Sequence, residues 1–129
     1  MADELAGKKI LIADDDRDIL ASLTTALRDM GPELFTANDG NEAVRLADQK
    51  QPDMVILDMM MPKRSGFLVL EKIRKDKADG EKPHVIMITA NQGTRHRIYA
   101  ESLGVVKYIN KPFRVDKLVE TIKEVLTSD

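Results

Sequence analysis

The chain has 129 residues, of which 43% are hydrophobic and 33% charged, and a formal net charge of −2. That length predicts one domain with a real core, and that charge argues against bulk attraction to nucleic acid or an anionic membrane. No cysteine is present, which excludes disulfides and thiolate metal sites and fits a reducing compartment. No apolar run approaches the ~20 residues of a membrane span, and the acidic start Met1-Ala2-Asp3-Glu4 is not a signal peptide. A cytoplasmic protein without membrane insertion is expected. No internal repeat or low-complexity tract divides residues 1–129, read here as a single domain with its core from about 8 to 126.

Lys8 to Ala13 opens the fold as a strand whose last four residues are apolar. Asp14-Asp15-Asp16 follows, with Asp16 the candidate N-cap of a helix carrying Ile19, Leu23 and Leu27 at i, i+4 spacing. Gly31-Pro32 stops that helix, and Leu34 to Ala37 is a second, mixed strand. After the turn Asn38-Asp39-Gly40, a short helix from about Asn41 to Gln49 turns Ala43, Val44 and Ala47 inward. Met54 to Leu57 is a short apolar run with β-branched residues, ending abruptly at Asp58 and followed by Met59-Met60-Met61-Pro62, a loop. Gly66 to Lys75 is a helix with Phe67, Leu70 and Ile73 on one side, and Asp76 to Lys82 a charged loop. Val85 to Ile88 is a fourth, wholly apolar strand ending in Thr89-Ala90. A polar helix from about Thr94 to Ser102, a mixed strand Lys107 to Asn110, the break Lys111-Pro112 and a last amphipathic helix from Val115 to Leu126 complete the chain.

Strands alternating with helices imply a parallel sheet covered on both faces. Strands one, three and four are apolar throughout, as interior parallel strands are, whereas strands two and five are mixed, as edge strands can be. Right-handed crossovers then favour an α/β, flavodoxin-like, doubly wound (βα)5 fold with the five-stranded order 2-1-3-4-5. In such sheets ligands bind beyond the carboxyl ends of the strands, where the winding reverses between strands one and three.

Four strand ends converge on that edge. Strand one delivers Asp14 and Asp15, strand three Asp58, strand four Thr89 and strand five Lys111. Each has an ordinary reading alone: an N-cap, a strand-end Asp or Thr, a solvated Lys. Together they form three carboxylates and one ammonium, leaving a deficit that one divalent cation would balance. An all-oxygen donor set without Cys or His selects a hard ion, Mg²⁺, with Mn²⁺ as substitute. Mg²⁺ commonly bridges a carboxylate and a phosphate oxygen. An Asp carboxylate can be the nucleophile that takes a phosphoryl group as an acyl phosphate, with Lys111 and the Thr89 hydroxyl neutralising and hydrogen-bonding its oxygens.

From about Lys8 to Leu126 the sequence resembles a response-regulator receiver domain of two-component and phosphorelay signalling. The resemblance is carried by Asp14-Asp15, by Leu57-Asp58-Met59-Met60-Met61-Pro62 with Gly66, by Thr89-Ala90 and by Lys111-Pro112-Phe113. It implies Asp58 as phosphoacceptor, Asp15 and Asp58 as side-chain Mg²⁺ ligands, the Met60 carbonyl as a further ligand, and Asp14 acting through water. It also implies Thr89 and Lys111 as phosphoryl-binding residues, Tyr108 as the switch aromatic, and a cis Lys111–Pro112 bond. The Met60 and Asn91 side chains would flank the path of attacking water and tune the acyl-phosphate lifetime. The donor would be a histidine kinase or histidine phosphotransfer protein, and the output a changed surface of helix four, strand five and helix five offered to a downstream protein. The chain would catalyse only its own phosphorylation and dephosphorylation, as a monomer or weak dimer without direct nucleic-acid binding. Lys63-Arg64 departs from the family, where Gly and an apolar residue are frequent, as do Lys107 and the long 76–82 loop.

Three rivals are weaker. An aspartate-nucleophile phosphatase of the haloacid-dehalogenase type needs a second Asp two residues after the nucleophile, where this chain has Met60. An unphosphorylated interaction module would not need the intact acidic pair, Asp58, Thr89 and Lys111. Nucleotide or flavin binding lacks a Gly-rich phosphate loop after strand one. His84 and His96 lie away from the strand ends and read as surface or structural residues. The methionines 59–61 read as loop packing. Arg95, His96, Arg97, Lys107 and Arg114 form a charged face, ordinary or suited to an acidic partner.

Overall fold

The computed structural model describes residues 3–78, 80–90 and 93–128. The elements alternate in chain order: β1 (Lys9–Ala13), α1 (Arg17–Arg28), β2 (Glu33–Ala37), α2 (Gly40–Lys50), β3 (Met54–Asp58), α3 (Gly66–Arg74), β4 (His84–Thr89), α4 (Thr94–Ser102), β5 (Lys107–Asn110) and α5 (Val115–Thr127). All pairings are parallel, in the order β2-β1-β3-β4-β5. The apolar runs are the three interior strands and the mixed runs the two edges, as their composition predicts.

Alternation along each strand splits the core into two layers. Leu11, Val55, Leu57, Val85 and Met87 face one side with Ala43, Val69, Leu70 and Ala100. Ile10, Ile12, Ile56, Ile86 and Ile88 face the other with Leu23, Leu27, Leu118 and Ile122. Helices α2, α3 and α4 thus cover one face, and α1 and α5 the other. Asp16 caps α1 by accepting the Asp18 and Ile19 N–H groups at 2.9 and 3.4 Å, as expected. Asp39 caps α2 through the Glu42 N–H at 2.9 Å, and Ser65 caps α3.

Three details differ from the expectations. Leu5, ahead of the expected core, is fully buried, and its N–H donates to the Met30 carbonyl at 2.8 Å. In α3 the buried residues are Val69, Leu70, Ile73 and Arg74, with Phe67 only half-buried, so the buried stripe lies further round the helix. Arg74 is the larger surprise, because its guanidinium replaces solvent with the carbonyls of Ala78, Glu81, Pro83 and Leu103 at 2.7, 2.5, 3.3 and 3.2 Å. It gathers the 78–83 loop and the end of α4 onto the end of α3. Both Lys82–Pro83 and Lys111–Pro112 are cis, the second as the resemblance implies.

Candidate functional site

The strand ends are held by ladder bonds that continue one residue past the sheet. The Asp14 N–H donates to Ala37 O at 3.0 Å, Met59 N–H to Ile88 O at 2.9 Å and Lys111 N–H to Thr89 O at 2.7 Å. Asp14, Asp58, Thr89 and Lys111 are therefore fixed by backbone register before any side-chain contact is made. Gly66 fixes the distance between β3 and α3: a Cβ there would overlap the Asp58 carbonyl, and its N–H reaches Met59 O at 2.8 Å. A larger residue would push α3 off the backbone of Asp58.

Asp14 and Thr89 are fully buried and Asp58 is 2% exposed, whereas Asp15 faces solvent. Lys111 is half-buried, its Nζ 3.2 Å from Asp14 Oδ2 and 3.6 Å from Asp58 Oδ2. Asp58 Oδ1 accepts the Met60 N–H at 3.2 Å, and Asp14 Oδ1 accepts the Asp16 N–H at 2.9 Å. Carboxylate oxygens of Asp14, Asp15 and Asp58 lie within 4.8 Å of one another. The arrangement brings Asp14, Asp15, Asp58 and Lys111 together, and the bond from Lys111 N–H to Thr89 O sets the end of β4 beside them.

Its electrostatics are unbalanced. Burial pushes the Asp58 carboxyl up to about 7, with the adjacent Asp14 charge adding to the rise and Lys111 opposing it. Burial pulls the Lys111 ammonium down, but Asp58 and Asp14 outweigh that and hold it above its ordinary value. Asp14 Oδ2 is buried without a hydrogen-bond partner among the described residues, although the Lys111 charge lies nearby. Buried oxygens are rarely left so. An orphaned carboxylate oxygen beside two further carboxylates is a donor set that fits a hard divalent cation.

Around this centre the methionines separate. Met59 and Met61 are buried in the α2–α3 layer, as loop packing predicts, while Met60 is 61% exposed at the lip. Tyr108 is half-buried, its hydroxyl donating to Met59 Sδ at 3.8 Å. It pairs in register with Met87, two residues before Thr89, so Tyr108 and Thr89 lie on the same face of the sheet. Asn91 lies outside the described residues. A cleft of about 460 Å³, lined by Ile19, Leu23, Ala90, Lys111, Phe113 and Val115 among others, opens beside Lys111 between α1 and the β5–α5 connection.

The charged face near α4 is more mixed than its sequence suggests. Arg95, Arg97, Lys107 and Arg114 are exposed, but Arg97 pairs with Glu101 at 3.3 Å and Arg114 with Asp116 at 2.8 Å. Ile98, Tyr99 and Val106 are exposed among them. His96 stacks tilted on Phe67 at 5.5 Å, a packing role away from the acidic edge. Sequence reading missed Asp39 and Gly40, which touch the loop after Asp58; the Asn38-Asp39-Gly40 turn was the available signal.

Residues 10–123 match the family model of the response regulator receiver domain. A probable transcriptional regulator ycf27 of Guillardia theta is 43% identical over 119 residues, 92% of this chain and 45% of that protein. The chain thus spans about half the length of the curated relatives it matches. The CheY-like receiver domain protein of Methanospirillum hungatei superposes with a TM-score of 0.84 at 30% identity, covering 94% of each chain. The receiver domain of a Pseudomonas aeruginosa sensor histidine kinase, solved with a magnesium ion in its active-site cleft, gives a TM-score of 0.78 at 25% identity, over 94% of this chain and 98% of that one. Fold, strand-end chemistry and family model agree, and the chain belongs to the response regulator receiver domains, the phosphorylation-activated switches of two-component signalling.

Proposed function

We propose that Asp58 is the phosphoacceptor and that the carboxyl edge binds Mg²⁺, with Mn²⁺ as a substitute. The observation that carries this is the buried Asp58 carboxylate beside the orphaned Asp14 Oδ2 and the Lys111 ammonium. Asp15, Asp58 and the Met60 carbonyl would hold the ion directly and Asp14 through water. Bound there, the cation would offset the burial and the Asp14 charge that push the Asp58 carboxyl up to about 7, and would neutralise phosphoryl oxygens. One Asp58 oxygen attacks the phosphorus of a phosphohistidine, the P–N bond breaks, and the imidazole leaves with the bonding pair. Lys111 and the Thr89 hydroxyl take the phosphoryl oxygens, where the charge lies during transfer. The chain's chemistry is confined to gaining and losing this group.

The donor is a histidine kinase or a histidine phosphotransfer protein, for which the apolar cleft between α1 and Phe113 offers contact beside Lys111. Phosphorylation adds charge of about −2 and strong acceptors, drawing Thr89 toward the phosphoryl. Tyr108, on the same face, then moves into the vacated space and alters the surface of α4, β5 and α5 presented to a protein target. Met60 at the lip, and Asn91, set how readily water reaches the acyl phosphate. The domain works in the cytoplasm as a monomer or weak dimer and does not itself bind nucleic acid. The test is incubation with a small acyl phosphate and Mg²⁺ followed by intact mass measurement. One phosphoryl group is expected on the native chain and none on Asp58→Asn; labelling that persists in the variant at Ser or His would sink the assignment.

A further inference from the structure

Lys63 lies five residues after Asp58 with φ of 69°, a left-handed conformation that L side chains other than Asn and Asp rarely adopt. Three contacts from the β2–α2 corner bear on the loop at this point. The Gly40 N–H donates to Pro62 O at 3.3 Å. Gly40 lies so close to Arg64 that a Cβ would overlap the Arg64 carbonyl. Asp39 Oδ2 lies 3.6 Å from Lys63 Nζ, while its other oxygen caps α2. The hydrogen bond from Glu42 N–H and, more weakly, the Lys63 charge hold the Asp39 carboxyl below its ordinary value, against partial desolvation.

The same loop is also tied from within. Arg64 N–H donates to Pro62 O at 2.7 Å and Gly66 N–H to Met59 O at 2.8 Å. Between these ties sits the Met60 peptide, whose N–H reaches Asp58 Oδ1. With Gly at position 63 the left-handed turn would form without help. With Lys there the turn gains from an outside constraint, and the corner supplies a charge at Lys63, a hydrogen bond at Pro62 and a close backbone approach at Arg64.

We infer that the Asp39–Gly40 corner is a positioning element for the phosphoacceptor loop, clamping Lys63 in its left-handed conformation so that the Met60 peptide keeps its orientation over Asp58. The inference rests on the proposed roles of Asp58 and the Met60 carbonyl. Asp39 and Lys63 touch neither phosphoryl nor cation; they act through the loop.

The test uses the 129-residue chain and Asp39→Asn, which keeps a good N-cap for α2 and removes the charge facing Lys63. Amide exchange by NMR in metal-free protein is expected to speed up at Met60 and Arg64 by about two- to fivefold, the range an exposed ion pair supports. Mg²⁺ affinity by calorimetry should fall by a similar factor, with the melting temperature within about 2 °C. Adding Lys63→Gly should restore both, because glycine adopts the turn unaided. A role of Asp39 confined to capping α2 predicts no such rescue. Unchanged exchange in Asp39→Asn, or a double variant as perturbed as the single one, overturns the inference. Faster, rescued exchange with unaltered Mg²⁺ affinity upholds the clamp and removes the Met60 carbonyl from the metal site.

Discussion

At the amino edge of the sheet, Asp53 accepts the Lys9 N–H at 2.8 Å and pairs with Lys82 at 2.9 Å, and Arg74 satisfies its guanidinium on four carbonyls. At the carboxyl edge, Asp14 keeps an oxygen unbonded among the described residues and Asp58 is driven toward neutrality. Both edges bury or half-bury charge. One distributes donors and acceptors until every group is answered; the other crowds like charges and leaves them short of a cation. Satisfied polar groups there serve the scaffold, and the unsatisfied ones mark where the protein expects something from outside.

The sharpest way to break this contrast is Arg74→Met, which keeps bulk but removes the donors from four carbonyls. A loss of about 3 kcal/mol is expected, roughly 10 °C in thermal melts, with phosphorylation of Asp58 intact below the transition. A loss under about 1 kcal/mol would mean that the carbonyls find water instead and the amino edge is no scaffold.

At the other edge the sign should reverse. The folded-state carboxyl of Asp58 is raised from 3.8 to about 7, so folding favours its protonated form. Its penalty on the metal-free protein is absent below pH 3.8, grows as pH rises to about 7 and is level above. Asp58→Asn should therefore match the native chain near pH 4 and exceed it at pH 8 by about 2 kcal/mol. Urea melts at the two pH values without metal measure this, and Mg²⁺ added to the native chain at pH 8 should narrow the gap. A variant less stable at pH 8 would place Asp58 among the satisfied groups.

Asp53 offers the matched control. Burial pushes its carboxyl up, but Lys82 and the Lys9 N–H outweigh that and hold it below the ordinary value. Its contribution is present above the ordinary pKa of 3.8 and is lost as pH falls through the lower folded value. Asp53→Asn should cost about 1 kcal/mol at pH 7, since Lys82 is half exposed and screened, and the cost should vanish in strong acid. Equal melts at pH 7 would break the pairing of the two aspartates.

The smallest effect concerns rate. Met60→Asn places a polar side chain at the exposed lip, where it can orient water, and acyl-phosphate loss should quicken by about threefold. A time course of dephosphorylated mass at fixed Mg²⁺ reads this out, and an unchanged rate would remove Met60 from the water path.

Element order, sheet order and the converging strand ends were legible because apolar runs stop at the reactive residues themselves: Ala13 before Asp14, Leu57 before Asp58, Ile88 before Thr89. Arg74 was not legible. Its partners are main-chain carbonyls from a loop that reads as solvated charge, and no side-chain pattern announces them. Asp14 and Asp15 are neighbours of one chemical type, and only the closing turn into α1 buries one and exposes the other. Lys63 was visible as a departure, but its left-handed backbone and its dependence on Asp39 need coordinates. Leu5 stands ahead of the first strand's hydrophobic pattern, and it is tertiary packing against α1 and α5 that buries it.

The groups of the proposed site come from positions 14, 58, 89 and 111, at the ends of four different strands. Parallel neighbours close only through long crossovers, so these contacts are among the last a folding chain can complete. With Asp58 as the proposed acceptor, a nascent or partly unfolded copy would hold it in a solvated segment without Asp14, Thr89 or Lys111 beside it, and would be a poor acceptor. On that assignment, phosphoryl transfer to this chain would count only molecules whose sheet is complete, and incompletely folded copies would stay silent in whatever reads it.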